Sequence, residues 1–280
     1  MREIDAGLIA KEVERMVMEA NFFLPDDVLE ALEEAKTDEE WDLASGTIDK
    51  IIENAGIAKE DRVPMCQDTG MVVVFMDIGQ DVHVINGSIE DAIHEGIREG
   101  YEKGHLRKSV VKDPLDRVNT KDNTPAVIHY NIVPGDKINI TVGPKGFGSE
   151  NMSRIKMLKP AEGLKGVKDF ILESVEIAGP NPCPPTVVGV GIGGTFEKAA
   201  ILAKKAAMDN VDEYSADPFY ANLEKELLQD INELGIGPQG FGGKTTAFKV
   251  NIETYPTHIA GLPVAVNINC HAARHKNVTL

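Results

Sequence analysis

The stretch Cys66-Gln67-Asp68-Thr69-Gly70 runs directly into the apolar segment Met71-Val72-Val73-Val74-Phe75-Met76. An unbroken apolar run rich in valine predicts a buried strand. The five residues ahead of it carry a thiol, a carboxamide, a carboxylate and a hydroxyl and close on a glycine. Such a concentration of ligand and proton-transfer groups at the entry to a strand marks a site, not a plain turn.

Upstream of this stretch, from Ile4 to about Gly56, the pattern is helical. Ile9, Val13, Met16, Val17 and Ala20 recur at three and four residues, and Pro25-Asp26-Asp27 opens a second helix. Thr37-Asp38-Glu39-Glu40 has the form of a capping box before a third. Downstream, a strand is expected near 82–85 and a helix from Ser88, capped as Ser88-Ile89-Glu90-Asp91, to about Gly104. The runs 127–133 and 137–142 flank Pro134-Gly135-Asp136 and predict a hairpin. A helix over 160–179, a small-residue strand over 186–194, a helix through Ala207 and another over 218–234 follow. Alternation over 248–253 and 264–269 predicts two more strands, and carries Cys270 onto an apolar, inward-pointing face.

The expected architecture is α+β. A helical N-terminal lobe, residues 1–60, packs on a core over 61–280 built from a mixed, largely antiparallel sheet with helices, within a single domain. No internal repeat or low-complexity segment is visible.

Hydrophobic residues make up 42% of the 280 positions and aromatic residues only 5%, so the core is expected to be built of Val, Ile, Leu and Ala. Lys and Arg total 29 against 45 Asp and Glu, a net charge of −16. That balance argues against nucleic acid or an anionic membrane surface as a partner. No apolar run approaches the roughly 20 residues needed to cross a bilayer, and Met1-Arg2-Glu3-Ile4-Asp5 lacks a signal-peptide profile. A cytoplasmic location is expected.

Two further cysteines exist, Cys183 in Pro180-Asn181-Pro182-Cys183-Pro184-Pro185 and Cys270 in Asn267-Ile268-Asn269-Cys270-His271. Their wide spacing argues against a ribbon-type zinc site, and their odd number against a disulfide frame. The residues alone leave two readings: three unrelated buried thiols, or three thiolates converging from distant segments. A 4Fe-4S cluster ordinarily takes four protein ligands, so three thiolates would leave one iron open. An open iron is a Lewis acid able to bind a hydroxyl and a carboxylate.

Two glycine motifs point elsewhere. Gly189-Val190-Gly191-Ile192-Gly193-Gly194 fits the dinucleotide fingerprint, but a polar, helix-like segment follows Ala207 where that unit needs a parallel strand ending in an acidic residue. Gly242-Gly243-Lys244-Thr245 resembles a P-loop, but Pro238 stands where its first glycine belongs. Lys244 is left as an anion contact or a structural residue.

Cys66-Gln67-Asp68-Thr69-Gly70, Asp122-Asn123-Thr124-Pro125-Ala126-Val127, Lys145-Gly146-Phe147-Gly148-Ser149-Glu150-Asn151, Phe241-Gly242-Gly243-Lys244-Thr245-Thr246-Ala247 and Asn269-Cys270-His271 resemble, in order, the alpha subunit of class I fumarate hydratase and its sister L-tartrate dehydratase. The resemblance implies a 4Fe-4S cluster on Cys66, Cys183 and Cys270 with one open iron. It implies Gln67, Arg117, His258 and a glycine at Gly146 or Gly148 as substrate contacts, and Asp68 as acid-base partner of the departing hydroxyl. It also implies that the base and further cationic contacts reside in a separate beta subunit, in a heterotetramer of two alpha and two beta chains. Hydration of fumarate to malate is the leading expectation, with tartrate dehydration as the close alternative. A non-catalytic iron-sulfur protein is the more remote one, since redox clusters ordinarily have a full set of protein ligands. A cofactor-free interaction domain would instead leave the three thiols to packing alone.

Overall fold

The structure is a computed structural model that describes residues 1–280. Its elements begin with β1 (Arg2–Asp5), α1 (Ala6–Phe22), α2 (Asp26–Asp38), α3 (Asp42–Asp61), β2 (Met71–Gly79), β3 (Val82–Ile85) and α4 (Ile89–Lys103). Next come β4 (Val127–Val133), β5 (Ile138–Lys145), the one-turn α5 (Phe147–Glu150), β6 (Arg154–Leu158), α6 (Gly163–Ala178), β7 (Thr186–Gly193) and α7 (Phe196–Ala206). The chain closes with α8 (Pro218–Glu233), β8 (Ala247–Tyr255), β9 (Leu262–Asn269) and β10 (Lys276–Thr279). This is the expected α+β class with mixed sheets. No helix is long and apolar enough to cross a membrane.

Two compact units emerge. The first comprises Met1–Pro25, Ala55–Phe147 and Arg274–Leu280; the second comprises Asp26–Asn54 and Gly148–Ala273.

In the first unit the sheet order is β10-β5-β2-β4, with β2 antiparallel to β5 and parallel to β4. Val72, Val74 and Met76 of β2 meet Ile9, Val13 and Val17 of α1 and Ile93 and Ile97 of α4 in one core. Helix α4 starts where Ser88 Oγ accepts the Asp91 amide hydrogen bond at 3.2 Å, with Glu90 and Asp91 favourably placed in its first turn. The hairpin expected at 127–142 is not formed. Strand β2 lies between β4 and β5, and the connection through Pro134-Gly135-Asp136 crosses its far end. There Asp81 N donates to Gly135 O at 2.9 Å and Gly79 N to Lys137 O at 2.8 Å. A Cβ on Gly79 would sit 2.4 Å from Gly135 O. The near-continuous apolar run of β2 explains the outcome, because such a strand is stabilised by neighbours on both edges, whereas β4 is largely exposed.

The second unit repeats this plan. Its order is β6-β9-β7-β8, with β7 antiparallel to β9 and parallel to β8, so β7 again lies between two strands adjacent in sequence. The crossing passes Gly193, where a Cβ would meet Tyr255 O at 2.0 Å. Val188 and Val190 face a core with α6 and α8. On the other face, Cβ atoms at Gly189 and Gly191 would come 2.3 and 2.1 Å from Ala203 O and Ala199 O of α7. The dinucleotide-like glycines are therefore accounted for by close packing of helix on strand. Because α7 covers that face, Asn267 and Asn269 are buried instead of solvated, and Asn269 Nδ2 donates to Ala207 O at 3.1 Å. Cys270 lies one residue beyond β9, half-buried, not on an inward-facing strand position.

The capping box expected at Thr37 is also absent. Thr37 Oγ1 donates back to Glu33 O within α2, and Glu39 instead accepts from Lys244 N at 2.6 Å and from Trp41 N at 3.0 Å. Lys244 Nζ bonds Glu40 at 2.6 Å and Asp38 O at 3.1 Å, so its role here is structural.

Two predictions follow from this packing. Gly191→Ala should lower the urea midpoint by an amount equivalent to roughly 1–3 kcal/mol, because the opposing atoms are helix backbone. Burial raises the Asp209 carboxyl to about 6, opposed by Lys205 and reinforced by Glu253, Glu224 and Glu213. Its raised folded pKa makes ionisation unfavourable to folding from about pH 4 upward, fully so above about pH 6. Asp209→Asn should accordingly stabilise at pH 8 by on the order of 2 kcal/mol and have no effect near pH 3.5, measured by denaturation at each pH.

Candidate active site

Strand register brings particular loops together. In the first unit Met71, the first residue of β2, pairs with Lys145, the last of β5. The loop holding Cys66 to Gly70 therefore lies beside Gly146 and Phe147. Gly70 has φ +79°, and a Cβ there would stand 2.7 Å from Lys145 N, so this glycine sets how closely loop and strand approach.

Asp68 is held from several sides. Its Oδ1 accepts from Gly70 N at 3.0 Å and its Oδ2 from Phe147 N at 2.8 Å. A Cβ on Gly146 would lie 3.3 Å from Oδ2, so glycine keeps space open beside the carboxylate. Asp68 N donates to Cys66 Sγ at 3.4 Å, and Gln67 between them is exposed. The backbone carbonyl of Asp68 accepts from the Arg274 guanidinium, which also donates to Pro144 O at 3.4 Å. The Tyr101 hydroxyl donates to Thr69 O at 2.6 Å, with Gly70 O at 3.0 Å. Burial drives the pKa of that phenol far above its ordinary value, so it stays a donor. Asn123 Nδ2 donates to Gly70 O at 3.1 Å, and Thr69 Oγ1 to Arg107 O at 2.9 Å.

The second unit has an equivalent corner. Cys183 precedes β7, and Cys270 follows β9 where Val187 pairs with Asn269. Cys183 adopts φ +57°, with its amide bonded to Pro180 O at 3.1 Å. Its carbonyl accepts from His271 N at 3.3 Å and lies 3.0 Å from His271 Nδ1. Gln239 secures the same loop, its backbone N and Nε2 each donating to Pro184 O at 2.8 Å. The register and His271 thus place Cys183 and Cys270 at one end of one sheet.

None of the three cysteines is in a disulfide; Cys66 and Cys270 are half-buried and Cys183 is exposed. No group of three or more His, Cys, Asp or Glu is gathered as a metal site. The donor set still suits a cluster held by three thiolates, since every thiol is reduced and reachable and none is sealed in a core.

Of the remaining expected residues, Arg117 and His258 fall outside these corners, and Gly148 lies beside the Cys183 loop. Arg117 is exposed near the turn of a small hairpin closed by the Val111–Asn119 bridge, and its Nη1 donates to Pro114 O at 3.2 Å. His258 lies in the crossing between β8 and β9, at the opposite end of the sheet from Cys183 and Cys270. Gly148 belongs to the second unit, where its Cβ position lies 3.7 Å from Asn181 O. Tyr101, Arg274 and Gln239 give no signal in the sequence because each is distant along the chain from the loop it holds. Asn123 and His271 stand inside the stretches 122–127 and 269–271, which is the one available signal.

The family model for fumarate hydratase (Fumerase) matches residues 10–279. The chain belongs to the fumarate hydratase family. Within it, a Methanocaldococcus jannaschii protein named as a candidate L(+)-tartrate dehydratase subunit alpha is 46% identical over 275 residues, covering 95% of each chain. The L(+)-tartrate dehydratase subunit alpha of Escherichia coli strain UTI89 is 34% identical over 255 residues, 90% of this chain and 84% of the relative. That of strain K12 is 33% identical over the same span. Fumarate hydratase and tartrate dehydratase are both hydro-lyases, which makes this a hydro-lyase family member with the Asp68 loop inside the matched region.

The strain at the loop is testable. Gly70→Ala should destabilise the protein by about 2 kcal/mol or more, since both its φ and backbone neighbours oppose a side chain. Gly135→Ala, at positive φ with nothing within 4 Å, should lose only about 1 kcal/mol in the same urea titration.

Proposed function

We propose that this chain is the alpha subunit of an iron-sulfur hydro-lyase that adds or removes water across a four-carbon dicarboxylate. The observation that carries the reading is Asp68, a carboxylate oriented by two backbone N–H groups and bonded through its own amide to the sulfur of Cys66. Cys66, Cys183 and Cys270 would hold a 4Fe-4S cluster, and when bound it supplies a Lewis-acid position for a hydroxyl and a carboxylate.

The chain's own groups have distinct tasks. Asp68 gives a proton to the departing hydroxyl, which leaves as water, and takes one from water in the reverse hydration, at a carboxylate whose oxygens each retain a free lone pair beside their backbone bond. Gln67, exposed between Cys66 and Asp68, donates its carboxamide N–H to a substrate carboxylate. Gly146 leaves room for substrate next to Asp68 Oδ2, which favours it over Gly148 as the glycine of the site. Arg117 and His258 are substrate-binding candidates by resemblance alone. A beta subunit supplies the base and the remaining cationic contacts, in keeping with the subunit names of the relatives.

Reversible hydration of fumarate to malate is the reaction named by the matching family. Dehydration of L-tartrate is the second reading, favoured by the names of the relatives at 46% and 34% identity. The two substrates differ by one hydroxyl and need the same machinery in this chain.

Anaerobic reconstitution with iron and sulfide should load about four of each per chain, and Cys→Ser at 66, 183 or 270 should abolish the visible chromophore. With the beta subunit added, Asp68→Asn should keep the cluster and lose turnover of fumarate or L-tartrate by at least about 100-fold. Uptake of zinc alone, or turnover unaffected by Asp68→Asn, would sink the proposal.

A further inference from the structure

The loop at residues 66–70 has no regular hydrogen-bond ladder, yet its inner side is completely occupied. Three consecutive carbonyls, those of Asp68, Thr69 and Gly70, are taken by Arg274, Tyr101 and Asn123. These donors are 3%, 0% and 0% exposed and come from the C-terminal segment, the last turn of α4 and the loop before β4. Each is itself fixed. Asn123 Oδ1 accepts from Ser109 N at 2.7 Å and Val110 N at 3.3 Å, Arg274 Nε donates to Pro144 O, and Tyr101 sits in the α1–α4 core. The outward-facing amides of Asp68 and Gly70 hold the Cys66 sulfur and the Asp68 carboxylate.

Arg274 is the revealing member. It is a buried cation with no carboxylate partner, and its Nη1 has no hydrogen-bond partner at all. Burying an unpaired guanidinium is unfavourable, and apolar replacements of buried charged groups are often neutral or stabilising. Its burial is offset only by the carbonyls of Asp68 and Pro144 that it reaches.

Resting on the hydro-lyase reading above, we propose that Tyr101, Asn123 and Arg274 are positioning residues, forming a three-donor cradle that turns the carbonyls of residues 68–70 inward and so aims Cys66, Gln67 and Asp68 outward at ligand and substrate. None of the three touches substrate. Their action runs through the backbone of the loop.

The test compares Tyr101→Phe and Arg274→Met with Val72→Ala, a core substitution in β2, the strand that the loop enters. In the cluster-free full chain, alkylation of Cys66 by iodoacetamide is timed by peptide mass mapping. In the reconstituted complex with the beta subunit, kcat/KM is measured. Both cradle variants should alkylate Cys66 several-fold faster than wild type and lose 10- to 100-fold in kcat/KM, with Arg274→Lys recovering part of each, while Arg274→Met loses less stability than Val72→Ala. Cys66 reactivity and kcat/KM no different from the Val72→Ala control would overturn the cradle. Should wild type neither load iron nor turn over either substrate, the hydro-lyase reading fails, and the alkylation rates still decide the cradle.

Discussion

A strand that is apolar along nearly its whole length has to be flanked on both edges, and both units are arranged around that requirement. Strands β2 and β7 each precede the two strands that flank them, β4 and β5 in one sheet and β8 and β9 in the other, so the later pair must straddle the earlier strand. The link between those flanking strands then crosses the far end of the central one, over Gly79 in one unit and Gly193 in the other. The near end stays open. There the loop entering the central strand lies beside the residues leaving its antiparallel neighbour, and all three cysteines stand at such ends.

A loop placed there cannot rely on a strand partner for its backbone groups, and buried carbonyls without donors are strongly unfavourable. The first unit answers with side chains, Tyr101, Asn123 and Arg274, and the second with Gln239 and the His271 amide. The same residues that satisfy the backbone determine which way the reactive groups point. Stability and chemistry are thereby coupled at these corners, whereas the core between α6 and α8 serves packing alone.

The two corners also separate functions among the glycines. Those of the dinucleotide-like stretch serve helix packing and strand crossing, and Gly242-Gly243-Lys244 ties to Glu39 and Glu40. Gly70 and Gly146 bear on Asp68 directly. Glycine-rich motifs of similar appearance in the sequence thus have unrelated physical causes, and only what a Cβ would strike distinguishes them.

The sequence by itself determined the local elements and the chemical inventory. An unbroken apolar run located β2, period-two alternation β8 and β9, period-3.6 spacing α1 and the Ser88 cap α4, and Cys66 to Gly70 stood out through the rarity of its grouping. Residue spacing could not say which strands pair, because Pro134-Gly135-Asp136 suits a tight hairpin and a crossing over β2 equally well. It could not say that Thr37 would turn back to Glu33 while Glu39 reached Lys244, since that bond joins residues far apart along the chain. Nor could it find Tyr101 or Arg274, which look like a helix-stripe residue and a C-terminal cation until folding carries them under the Asp68 loop. Short-range patterns report the preferences of a segment; partner choice, burial of polar groups and the aim of a catalytic side chain are decided by long-range contacts, and these exist only in the folded chain.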